Sequence, residues 1–103
     1  MLTFNLKKEW FEKIKSGEKT HEYREVKPYW TKRFLNKGLD ILPCNQCEFV
    51  CGYASKDDKD KRLKANILSI NTINGKNTDL AIDKNVYDIE FELISECEAK
   101  NDN

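Results

Sequence analysis

A chain of 103 residues, 39% hydrophobic and 35% charged, has room for one domain with a modest core and no second one. No apolar run approaches the roughly 20 residues that cross a bilayer, and the chain opens on a strand-like segment in place of a signal-peptide pattern, so no membrane partner and a cytoplasmic location are expected. The 18 basic and 18 acidic side chains cancel, which argues against simple polyanion binding, but residues 1 to 38 carry a balance of +5 and the remainder −5. A basic face for phosphates is expected unless folding interleaves the two halves.

Leu2, Phe4 and Leu6 alternate with Thr3 and Asn5, the period of a half-buried strand. From Lys7 the period changes: Trp10, Phe11 and Ile14 share a helical face and Gly17 stands where a helix stops. Glu18 to Glu25 is a polar strand candidate, and a second helix over 28 to 37 is expected, with Pro28 at its first position, Trp30 and Phe34 four apart, and Gly38 closing it. A loop broken by Pro43 fills 39 to 46. Cys47, Phe49, Cys51 and Tyr53 then alternate with other residues as a strand, and Ser55 to Arg62 reads as a charged hairpin loop.

Leu63, Ala65 and Ile67 hold one phase and Leu68 and Ile70 the other, the mark of a β-bulge or bend. Asn71 to Asn85 is polar and irregular, with a brief contact from Leu80 and Ile82. Tyr87, Ile89, Phe91 and Leu93 alternate with Asp88, Glu90 and Glu92 as a strand with an acidic outer face. Residues 1 to 95 therefore read as one α+β domain, a small barrel of about five to six mostly antiparallel strands with two short flanking helices, followed by a frayed tail at 96 to 103. A monomer or weak homodimer is expected.

Cys44 and Cys47 form one CxxC pair, while Cys51 falls on a strand and Cys97 is distant. A closed zinc site takes four ligands in paired spacing, so ordinary reduced thiols are expected, and no metal or cofactor. The informative segment is Gly17 to Arg33, where cations, carboxylates and aromatic rings interleave. Cations meet phosphates, rings stack on bases and a carboxylate accepts from a base edge, which is what a single-stranded nucleic-acid site requires. Ion pairs on a solvated strand and core packing of Trp30 and Phe34 explain the same residues without a ligand.

Gly17, Lys19, Glu22 and Arg24 match the pattern GxKxxExR, and the surrounding run from Leu6 to Trp30 resembles the short bacterial and phage form of the ASCH family. Phe49 to Tyr53 and Ala65 to Ile70 are similar to that family's central strands. The resemblance implies a PUA-like β-barrel whose cleft binds RNA or a nucleotide, with Lys19, Glu22 and Arg24 lining it. Chemistry, not the motif, extends the set to Tyr23, Lys27, Tyr29, Trp30 and Tyr53. Lys19, following the helix stop, is expected to reach into solvent, and Lys19, Arg24 and Lys27 to contact phosphate.

Some members of the family are enzymes, among them an amidohydrolase that deacetylates N(4)-acetylcytidine with a lysine and a threonine of this motif and a downstream glutamate. This chain keeps the lysine as Lys19 and carries Glu22 in place of the threonine, with Thr20 two residues earlier. A carboxylate is no hydroxyl nucleophile, but beside a lysine it can act as a general base on water, so Lys19 and Glu22 are the catalytic candidates of a hydrolase reading. RNA cleavage would draw on Lys19, His21 and Glu22. A protein-interaction module resting on Asp88, Glu90 and Glu92 is a third reading.

Overall fold

The computed structural model describes residues 2–36 and 46–94. The expected tail, Gly38, Cys44, Cys97 and all but the last residue of the expected 39–46 loop lie outside them. Within the described residues the order is β1 (Leu2–Leu6), α1 (Lys8–Lys15), β2 (His21–Glu25), α2 (Pro28–Asn36), β3 (Gln46–Cys51), β4 (Arg62–Asn74) and β5 (Asn85–Leu93). The five strands form one sheet in the order β1-β3-β4-β5-β2, curled into a half-barrel with two helices against it. Three of the four pairings are antiparallel, and β1 runs parallel to β3.

The apolar alternation of β1 does what its period requires: Leu2, Phe4 and Leu6 are buried and Thr3 and Asn5 exposed. Phe11 and Ile14 of α1, Phe34 of α2, and Phe49, Ile67 and Ile89 of the sheet are among the side chains that fill the concave face. Just past the C-cap of α1 at Ser16, Gly17 takes the left-handed region at φ 86°. There the amides of Gly17 and Lys19 bond back to the carbonyls of Ile14 and Lys13, 3.0 Å each, and turn the chain toward β2. The register of β4 against β5 slips between Ile67 and Ser69, leaving Leu68 as the extra, half-exposed residue at the point where the phase switches.

Three expectations change in extent. β2 starts at His21, not Glu18. β3 ends at Cys51, because Gly52 adopts φ 64° and breaks the extended run, which carries Tyr53 out of the strand. β4 continues to Asn74 through residues that read as irregular, since Asn71 to Asn74 pair with Asn85 to Asp88 through backbone hydrogen bonds that need no apolar period. Of the expected apolar face of β5, Tyr87, Ile89 and Phe91 are buried, Leu93 is only half-buried, and Val86 is buried on the opposite face.

Candidate functional site

The terminal strands of the curled sheet, β1 and β2, approach one another, and Arg24 spans the gap. Its Nη2 donates to the Asn5 carbonyl of β1 at 3.1 Å, while Nε and Nη2 donate to Glu22 Oε2 at 2.9 and 2.7 Å. The guanidinium also lies over the rings of Phe4 and Trp30, 5.1 and 5.2 Å from their centroids. Alternation along β2 explains why these two residues act together: Glu22 and Arg24 point to the concave side, opposite Ile89 and Tyr87 of β5, whereas His21 and Tyr23 point away.

Glu22 is the one buried charged side chain among the described residues. Its carboxylate is felt well inside the barrel: the Cys47 thiol is pushed up to about 12, first by burial and then by the Glu22 charge. Lys19 follows the helix stop and wraps around the free edge of β2. Its Nζ stands 3.4 Å from Glu22 Oε1 and forms an ion pair with Asp79, and it lies 4.9 and 5.6 Å from the ring centroids of Tyr23 and Trp10. The Lys19 side chain is therefore only 9% exposed, and the expected reach into solvent does not occur.

Lys19 and Arg24 thus face Glu22 and Asp79, two positive charges against two negative ones, and the expected basic face at this site is replaced by a charge-balanced cluster. The cause is the interleaving of the halves. β2, from the basic N-terminal half but itself carrying Glu22 and Glu25 against Arg24, pairs with acidic β5, and the loop between β4 and β5 brings Asp79 onto Lys19. Tyr23 senses the same field, its phenol raised above the ordinary value by burial first and then by Asp88, Asp79 and Glu22.

Of the expected site residues, Lys19, Glu22, Tyr23 and Arg24 come together. Trp30 borders them through Arg24, but it also stacks on Phe4 and Phe34, with centroids 5.1 and 5.8 Å away, and so belongs largely to the core. Lys27 and Tyr29 lie exposed at the start of α2, where Lys27 pairs with Glu25 at 3.3 Å and Arg33 covers the Tyr29 ring at 3.4 Å. Tyr53 is neither a cleft residue nor a core one. It is 95% exposed on the turn after β3, which is pinned to β1 by the bonds of Gly52 to Leu6 and Asn5.

His21 lies on the convex face, Nδ1 at 2.7 Å from Asp88 and Nε2 at 3.7 Å from Glu90, so period-two geometry separates it from Glu22. The same contacts draw Asp88 and Glu90 out of the acidic surface expected for β5, leaving Glu92 exposed. Among the described residues Cys47 and Cys51 are free thiols.

Sequence reasoning missed Asp79, Asn5 and the cleft side of Trp10. Trp10 carried a core-helix signal, whereas Asp79 sits in a polar stretch with no period to place it. Its position follows from Gly75, a buried glycine where a Cβ would meet Val86 Cγ1 at 2.6 Å, so that the loop folds tightly onto Val86 and Ile82. No helix of the described residues is long and apolar enough to cross a membrane. Comparison with protein-family models, with curated proteins and with solved structures returns no match for this chain.

Proposed function

We propose that the chain is a PUA-like domain of the ASCH type and that the seam between β1 and β2 binds RNA or a nucleotide. The observation that supports this reading is the Glu22 carboxylate, buried where Arg24 bridges β1 and β2 and paired with two cations, one of which, Lys19, lies against the rings of Tyr23 and Trp10. Arg24 and Lys19 occupy part of its acceptor capacity. A carboxylate has about four lone-pair sites, which leaves room to accept from the amino or ring N–H groups of a base edge. Phosphates are met outside the cleft by the exposed cations of α2 and its approach, Lys27, Lys32 and Arg33.

Titration of labelled single-stranded RNA and of free nucleosides at two salt concentrations tests the reading. Binding at low salt that weakens with salt for RNA and is lost in the isosteric Glu22→Gln is expected. The absence of binding across a broad panel refutes it.

A second reading, hydrolysis of an acylated nucleoside or of RNA, is favoured by one observation: the Lys19 ammonium lies against two carboxylates, Glu22 and Asp79. An ammonium so held can orient a carbonyl while a carboxylate takes a proton from water. Chromatography of acylated cytidines and RNA after incubation distinguishes the two. Turnover that disappears in Lys19→Met and Glu22→Gln, both shown folded by thermal melting, establishes the enzyme, and unchanged substrates leave binding.

A further inference from the structure

The loop from Gly75 to Lys84 is built to hold one carboxylate in a fixed place. The Gly75 amide bonds to the Lys84 carbonyl at 2.8 Å, the amide of Ile82 returns to the Gly75 carbonyl at 3.2 Å, and the Thr78 hydroxyl donates to the same carbonyl at 2.8 Å. Ala81 is held at φ 49°, a left-handed conformation that a residue with a Cβ takes at a cost. None of these bonds uses the Asp79 side chain. Its carboxylate is left to the Lys19 ammonium, the same ammonium that Glu22 faces from inside the seam.

The electrostatic consequence follows from the count of charges. With Asp79 in place, an arriving phosphate meets two carboxylates and two cations already paired, so it brings an uncompensated negative charge into a site where Lys19 is almost enclosed. A neutral group with N–H donors meets acceptors instead.

We infer that Asp79 is an anion-excluding, specificity-determining residue: it neutralises Lys19 so that the seam takes the neutral base of a nucleoside and keeps phosphate outside. The identity of the ligand rests on the nucleic-acid reading above, whereas the charge argument stands on the ion pairs alone. Without Asp79 the cleft carries one net positive charge, and Lys19, still near Glu22, becomes an anion site.

Asp79→Asn keeps the shape and removes the charge, and because the loop's hydrogen bonds do not use this side chain, the variant folds. Two measurements on the whole chain separate the charge argument from the ligand. In thermal melts with inorganic phosphate against chloride at matched ionic strength, the wild type shows no phosphate-specific rise in Tm and Asp79→Asn does. The gain disappears in the Lys19→Met, Asp79→Asn double variant. In titrations, the wild type binds a nucleoside at least as tightly as its 5′-monophosphate, and Asp79→Asn gains about tenfold or more for the monophosphate and little for the nucleoside.

Phosphate stabilisation of the wild type equal to that of Asp79→Asn, or an unchanged monophosphate preference in the variant, overturns the inference. A wild type that binds no nucleoside or RNA, with Asp79→Asn still responding to phosphate, refutes the nucleic-acid reading and leaves the anion-excluding role of Asp79 intact.

Discussion

Replacing Arg24 by alanine tests whether the seam is held by its ion pair. The guanidinium does three things at once: it pairs with the buried Glu22, bridges to the Asn5 carbonyl on the opposite edge, and covers the Phe4 and Trp30 rings. Removing one member of a fully buried pair costs about 3 to 5 kcal/mol. Arg24 is 21% exposed and Lys19 remains 3.4 Å from Glu22, which places the expectation at the lower end, about 3 kcal/mol. For a domain of this size about 3 kcal/mol corresponds to a fall of about 12 to 24 °C in Tm, read by thermal melting with a structural probe.

The charge-free pair Arg24→Met with Glu22→Gln should recover much of that loss, because the penalty is chiefly the stranded carboxylate, and a double-mutant cycle measures the coupling directly. A fall in Tm of under about 3 °C for Arg24→Ala would refute the view that this pair closes the seam.

Glu48 is held below the usual carboxylate value chiefly by the hydrogen bond from Arg62, with burial opposing. A lowered carboxylate contributes stability above pH 4.5 and loses it as pH falls through its folded value, so Glu48→Gln should be less stable at neutral pH and show a flatter acid limb in denaturant titrations. An acid limb as steep as the wild type's would count against it. The Cys47 thiol, raised to about 12, stabilises the fold below pH 9.0 and loses that contribution as pH rises toward its folded value. At neutral pH a thiol reagent should therefore label Cys47 only at the rate of global opening, and prompt labelling of the native protein would contradict the burial. Gly75→Ala places a Cβ 2.6 Å from Val86 Cγ1 and 3.0 Å from the Ile82 carbonyl and should cost about 1 to 3 kcal/mol by chemical denaturation; no loss would mean that the loop is not packed as described.

The parts of the fold that announced themselves were those with a period and a stop. β1 shows its alternation, α1 its Gly17 cap, α2 its Pro28 start and β4 its change of phase at Leu68, and each of these is a local consequence of side-chain geometry. The distal half of β4 did not, because Asn71, Thr72 and Asn74 are exposed and their pairing resides in the backbone. Tyr53 looked like the next step of an alternation, and only the left-handed Gly52 ends it. The parallel pairing of β1 with β3 joins residues more than forty positions apart and has no local sign. Within the site, the spacing of Glu22 and Arg24 by two already placed them on one face of a strand. The ion pair between Lys19 and Asp79 crosses sixty residues and depends on the register of β4 against β5 and on the closed loop at Gly75.

The position of these groups also determines which experiments on them can be read. Lys19, Glu22 and Arg24 are enclosed at a sheet edge, where the same contacts that would meet a ligand hold the two terminal strands in place. Truncation to alanine therefore changes stability and binding together, and a weak-binding alanine variant is uninformative about which of the two was lost. Isosteric changes separate them. Glu22→Gln keeps acceptor and shape while removing one charge from a cleft that contains four, and Asp79→Asn removes a charge from a side chain that the loop's hydrogen bonds do not use. If the seam is only a structural clasp, the two substitutions differ in stability and neither alters a ligand response. If it is a binding site, both shift the preference from a neutral base toward phosphate, by different routes: Glu22→Gln chiefly weakens the hold on base donors, and Asp79→Asn chiefly admits phosphate.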